Sequence, residues 1–157
     1  NILCALTFLP ALYFALKDRV LPRWVSRLRL AGTVSVGVTL LVVLVLLGPR
    51  WGYIRMFSNS SFWLHGVCPV LAILSYCFFE KHPVPGFDQI LIGILPAFIY
   101  AIVYLCLAVF LKVWDDFYGF NPGGRWPIFF AAIMGAAALI AAGLIAVRMA
   151  VGRGRKA

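Results

Sequence analysis

Residues 60–79 read SSFWLHGVCPVLAILSYCFF, twenty residues with a single ionisable side chain, His65, closed by Glu80-Lys81-His82-Pro83. A stretch of about 20 apolar residues is what a helix needs to cross the hydrocarbon core of a bilayer, so this segment predicts a membrane span. Working outward, four further apolar segments share its character. They are residues 1–16 (NILCALTFLPALYFAL), 30–48, 89–112 and 127–147. Short polar or aromatic linkers separate them, and Gly48-Pro49 and Asn121-Pro122-Gly123-Gly124 supply turn chemistry. The fold expected is an all-α, polytopic transmembrane helix bundle over residues 1–157, with about five spans in this chain and six in the full-length protein.

Composition supports that reading. Of 157 residues 64% are hydrophobic and only 12% charged, with mean hydropathy +0.99. A water-soluble fold carries about twice that charged fraction and could not bury so much apolar surface, whereas lipid solvates it directly. Asn1 opens directly on an apolar run with no basic region before it, which argues for a truncated or processed start and against a signal peptide.

The net charge of +9 raises the question of nucleic acid, but its distribution answers it. Bases cluster at Lys17, Arg19, Arg23, Arg27 and Arg29, and again at Arg148, Arg153, Arg155 and Lys156. Both groups follow apolar segments, as anchors facing anionic lipid do, so membrane lipids are the expected partners and nucleic acid is not. With five spans, the first linker, the segment containing Lys81 and the C-terminal tail share one side, which carries ten bases against four opposite. The positive-inside rule then puts that side, and the C-terminus, in the cytoplasm of a multi-pass cell-membrane protein. Cys4, Cys68, Cys77 and Cys106 all lie in apolar segments without metal-ligand spacing, and read as packing residues.

Chemistry inside a membrane is expected where a polar group cannot be explained by topology. Ser61, His65, Cys68, Ala72 and Ser75 recur at helical spacing and form one small, polar stripe that should face the bundle interior. His65 is either packing glue between helices or a functional group near a water-accessible end. Gly93, Pro96, Tyr100 and Tyr104 make a second stripe, in which Pro96 frees a carbonyl and can open a cavity. A tyrosine pair at this spacing is more often packing than chemistry. The linker at 113–126 (VWDDFYGFNPGGRW) brings Asp115, Asp116, Tyr118 and Asn121 to the membrane face expected for His65. An acid there could orient the imidazole, while ordinary hydration accounts for at least one of the two aspartates. The candidate set is therefore His65 and Asp116 for catalysis, with Ser61, Tyr100, Tyr104 and Tyr118 for substrate binding. No phosphate-binding glycine loop, metal-ligand cluster or serine nucleophile elbow is present, so no metal or cofactor is expected. Small residues at Gly135, Ala138, Ala142 and Gly143 suit close helix contact and a helix-mediated oligomer. Gly32, Thr33 and Gly37 form a similar face on the second segment.

The start Asn1-Ile2-Leu3, the pattern Phe62-x-x-His65-x-x-x-Pro69 and the segment Trp114-Asp115-Asp116-Phe117-Tyr118-Gly119-Phe120 resemble uncharacterised bacterial six-helix integral membrane proteins. These in turn are distantly similar to the androgen-induced and androgen-dependent TFPI-regulating protein family of membrane fatty-acid-ester hydrolases. The resemblance to the bacterial group covers nearly the whole chain. It implies a lipid-ester substrate, hydrolysis or acyl transfer, His65 as the base, and a threonine nucleophile just upstream of Asn1; Thr7 lies too far along to match that position. The alternative reading is a non-catalytic membrane protein, a small transporter or a helix-packing subunit.

Overall fold

A computed structural model describes residues 1–80 and 86–154, and these are helical with no strand among them. The elements are α1 (Ile2–Leu16), α2 (Arg23–Trp51), a single-turn α3 (Tyr53–Met56), α4 (Asn59–Phe79), α5 (Phe87–Phe110) and α6 (Trp126–Gly154). Four of them, α2, α4, α5 and α6, are long and apolar enough to cross a membrane. With 15 residues α1 is about 22 Å long, less than the roughly 30 Å of a hydrocarbon core.

The bundle is organised around α2, which packs against α1, α4, α5 and α6. Half of its most apolar window is buried inside the protein, against 22% for each of the other three long helices. Small residues permit this central position. A Cβ on Gly32 would come within 3.3 Å of the Cys4 Cα on α1, and one on Gly37 within 3.2 Å of Ile140 on α6. On α5, Gly93 sits where a Cβ would meet Leu30 and Val34 of α2 at 3.4 Å and Ala141 of α6 at 3.3 Å. Around that junction lies the main core, Leu30, Val34, Tyr76, Cys77, Ala137, Ala141, Leu144 and Ile145. Apolar side chains on the outer faces are exposed, among them Leu9, Val45, Phe79, Leu91 and Leu139, as in a bundle whose outer solvent is lipid.

Two prolines leave a local signature. Pro49 and Pro69 lack the amide that would bond the carbonyl four residues back. In each case the preceding segment, Val43–Leu47 in α2 and Trp63–Val67 in α4, widens into a π-turn. His65 stands within the second of these, and π-turns recur at functional sites.

The helix ends depart from expectation in one consequential respect. Arg29 and Arg148, expected at the interface as anchors, are 4% and 3% exposed, because α2 begins at Arg23 and α6 runs on to Gly154. Both guanidinium groups turn inward to Glu80 at the end of α4. Lys81, Arg155 and Lys156 lie outside the described residues. Cys4 and Cys77 are buried as packing residues, whereas Cys106 is exposed.

Candidate functional site

The polar stripe of α4 does face inward. Ala72 is 2% exposed and Ser75 hydrogen-bonds across to α2, while Leu64, Val70 and Leu71 point outward. His65 on this stripe opens onto a cavity of about 330 Å³. That volume falls within the ordinary range for small-molecule sites. The walls are apolar residues of α2, α5 and α6, including Val38, Val42, Ala97 and Ile133. Polar groups enter at a few points only: His65, Ser35, Thr39, Tyr100, Tyr118 and Asn1. His65 Nδ1 is buried and makes no hydrogen bond. An imidazole nitrogen left unpaired in apolar surroundings is costly to the fold.

Pro96 lines the same cavity one turn from Tyr100, so the second stripe also contributes. Tyr100 and Tyr118 hydroxyls approach to 3.4 Å, joining α5 to the linker that follows it. Burial and the contact with Tyr100 push the Tyr118 phenol above its ordinary pKa, so it stays a neutral hydrogen-bonding group at physiological pH.

Asp116 is placed differently from the role foreseen for it. One carboxylate oxygen accepts the Tyr104 hydroxyl at 2.8 Å and the Phe120 amide at 2.9 Å, and the other accepts the Asn121 amide at 2.9 Å. No hydrogen bond joins it to His65. Burial pushes this carboxyl up, but the Asn121 and Phe120 amides, the Tyr104 hydroxyl and the Gly119 amide outweigh it and hold its pKa below the ordinary value. Asp116 therefore organises the linker: the Tyr104 hydroxyl it anchors also receives the Tyr118 amide at 3.3 Å. Behind it Tyr104 meets Tyr118 edge to face, Tyr118, Phe120 and Phe129 stack in sequence, and Phe117 stacks on Trp51 at 5.9 Å. These contacts fold the linker over the cavity and deliver Tyr118 and Phe120 to its wall.

The structure thus brings together His65, Tyr100 and Tyr118, with Tyr104 and Asp116 one layer behind. Ser61 is half-buried one turn from His65 and is not part of the cavity wall. Asp115 is exposed. Two hydroxyls were not singled out from sequence, Ser35 and Thr39, which now bond to backbone carbonyls of their own helix, to Ala31 at 2.8 Å and to Ser35 at 3.1 Å. Their spacing of four, three and seven residues after Gly32, was the available signal. Among the described residues no group of three or more His, Cys, Asp or Glu could hold a metal ion. Comparison with protein-family models, with curated proteins and with solved structures finds no match for this chain.

Proposed function

We propose that this is a multi-pass cell-membrane protein that hydrolyses or transfers the acyl group of a lipid ester in the His65 cavity. The observation that carries the reading is the unpartnered His65 Nδ1 in an apolar cavity shared with hydroxyl groups. An imidazole beside a hydroxyl is the minimal machinery for acyl transfer. His65 accepts the nucleophile's proton as its oxygen attacks the ester carbonyl, then returns that proton to the departing alcohol. Water releases the acyl group by the same steps in reverse. Tyr100 and Tyr118 orient the carbonyl and donate to the oxygen on which charge develops. Tyr104 and Asp116 act through Tyr118 as positioning residues, and Ser61, one turn from His65 outside the wall, is left without a part in this reading.

The resemblance to the ester-hydrolase family puts the nucleophile just before Asn1, which itself lines the cavity. Thr39, on the same wall, is the alternative within the chain. In this reading α1 forms part of a fifth crossing, its 15 residues being short of the core thickness by themselves. The α1–α2 linker, the segment after Glu80 and the C-terminus face the cytoplasm, where their basic residues meet anionic lipid.

The test is hydrolysis of a panel of fatty-acid esters by the purified full-length protein, beside folded His65→Ala and Thr39→Ala. We expect turnover that falls by about 10²–10⁴ on loss of His65. Loss on Thr39→Ala would assign the nucleophile within the chain. Equal turnover with and without His65 would overturn the assignment. No turnover by the folded protein would favour the second reading, a non-catalytic subunit packed through α6. That reading is supported by Gly135 and Gly143, where an added Cβ would meet nothing within 4 Å.

A further inference from the structure

Two of the four cysteines meet across helices. Cys4 of α1 is 2% exposed and packs in one cluster with Val36 of α2 and Ala72 of α4. Cys68 stands one turn before Ala72 on the inward stripe of α4, and the Cys4 and Cys68 thiols lie close enough to interact directly. Gly32 of α2 permits this approach, since a Cβ there would stand 3.3 Å from the Cys4 Cα. The other two cysteines are placed apart: Cys77 is enclosed in the main core, and Cys106 is exposed on α5.

The pair joins elements that are otherwise loosely connected. α1 leans chiefly on α2. Asn1 and Leu3 of α1 line the His65 cavity, and His65 itself is one turn before Cys68. A covalent bond between the two sulfurs would therefore fix α1 against α4 beside that cavity. Two thiols in contact need only an oxidant to form one, and in so apolar a setting the oxidant must be uncharged and lipid-soluble.

We propose that Cys4 and Cys68 are a redox-active pair that closes to a disulfide when a lipid-soluble hydroperoxide reaches α4. Cys68, half-buried, is the more accessible of the two and reacts first. Its sulfur attacks the hydroperoxide, the O–O bond breaks, the alcohol leaves with the thiol proton, and the sulfur becomes a sulfenic acid. Cys4 then attacks that sulfur; the S–S bond forms, and the hydroxyl leaves with the Cys4 proton as water. In sum two thiols lose two electrons and two protons, and the hydroperoxide is reduced to an alcohol and water. Neither step uses His65, so the pair stands or falls separately from the ester chemistry.

The test treats the full chain in lipid nanodiscs with tert-butyl hydroperoxide, then unfolds it, alkylates it with N-ethylmaleimide and maps its peptides by mass spectrometry without reduction. The expected product is a monomer that has lost two of its four maleimide adducts, with the peptides bearing Cys4 and Cys68 joined, and that regains both adducts after dithiothreitol. Cys77 should remain alkylated throughout. A chain unfolded in dodecyl sulfate before oxidation should give at least tenfold less of this particular link, because the fold and not the sequence brings the thiols together. The wild-type chain answers the question, so no variant need fold. Four adducts after oxidation of the folded chain, oxidised cysteines without the joined peptide, or a link from Cys68 to Cys106 of a second copy would overturn the proposal.

Discussion

Replacing Asp116 by alanine removes the acceptor of three hydrogen bonds, from the Tyr104 hydroxyl and from the Phe120 and Asn121 amides. Hydrogen bonds to a charged group contribute about 1.5–3 kcal/mol each when buried. Asp116 is only half-buried and water can take over part of its role, so about 1 kcal/mol apiece is the better figure. The linker should then open more easily by about 2–3 kcal/mol, a roughly 30- to 150-fold rise in the exchange of its protected amides. Asp116→Asn keeps one acceptor oxygen and loses the charge, and should give about half that free energy. Hydrogen–deuterium exchange in nanodiscs, followed on peptides covering residues 111–125, reads the effect directly. The pH dependence has a definite sign. Because the folded-state pKa of Asp116 is lowered, its contribution is complete above the ordinary carboxylate value near 4. It is lost as pH falls through the lower folded value. Linker exchange, corrected for its intrinsic rate, should therefore rise on acidification in the wild type and stay flat in Asp116→Ala. Unchanged exchange at residues 111–125 in Asp116→Ala, with disturbance confined to the peptide bearing His65, would refute the linker role and restore Asp116 as a direct partner of the histidine.

Two further substitutions probe the fold. Glu80→Gln removes the carboxylate that Arg29 and Arg148 share, and should destabilise by about 3 kcal/mol, the lower end for breaking a buried pair because the contacts are long. Replacing all three by methionine should be close to neutral. Denaturation in mixed micelles measures both, and a change within about 0.5 kcal/mol for Glu80→Gln would show that the charges are hydrated after all. Gly119→Ala should cost about 1–2 kcal/mol, since the residue holds φ +67 and the space a Cβ would need is occupied by the Arg50 guanidinium. The thermal midpoint measures it, and no shift would mean that the linker adopts another path.

Much of the helical layout was legible because helices this long and apolar follow a simple code: apolar runs broken by turn residues. The inward stripe of α4 and the small face of α2 followed from helical periodicity alone. Two things did not. Helix ends could not be fixed where arginine, a good helix former, continues an apolar run, and so Arg29 and Arg148 read as anchors when each lies inside a helix. The partner that draws them in, Glu80, is 51 residues from one and 68 from the other, a separation no local pattern reports. The cavity at His65 was visible only as an approximate meeting of one membrane face. That Asp116 spends its oxygens on Tyr104 and two amides depends on the path of the chain through Gly119, with its positive φ, which spacing does not determine.

The central place of α2 also sets the order in which the molecule can be built. At synthesis rates of about 5–20 residues per second, some 3–10 s separate the appearance of Arg29 from that of Glu80, 51 residues later. Arg148 follows after α5 and most of α6 have emerged. Through that interval the Arg29 guanidinium lacks its carboxylate and the Gly37 face lacks Ile140 of α6, while Gly32 is already covered by α1. A nascent chain stopped before Glu80 would therefore leave Arg29, which the folded protein buries, without the carboxylate that draws it inward.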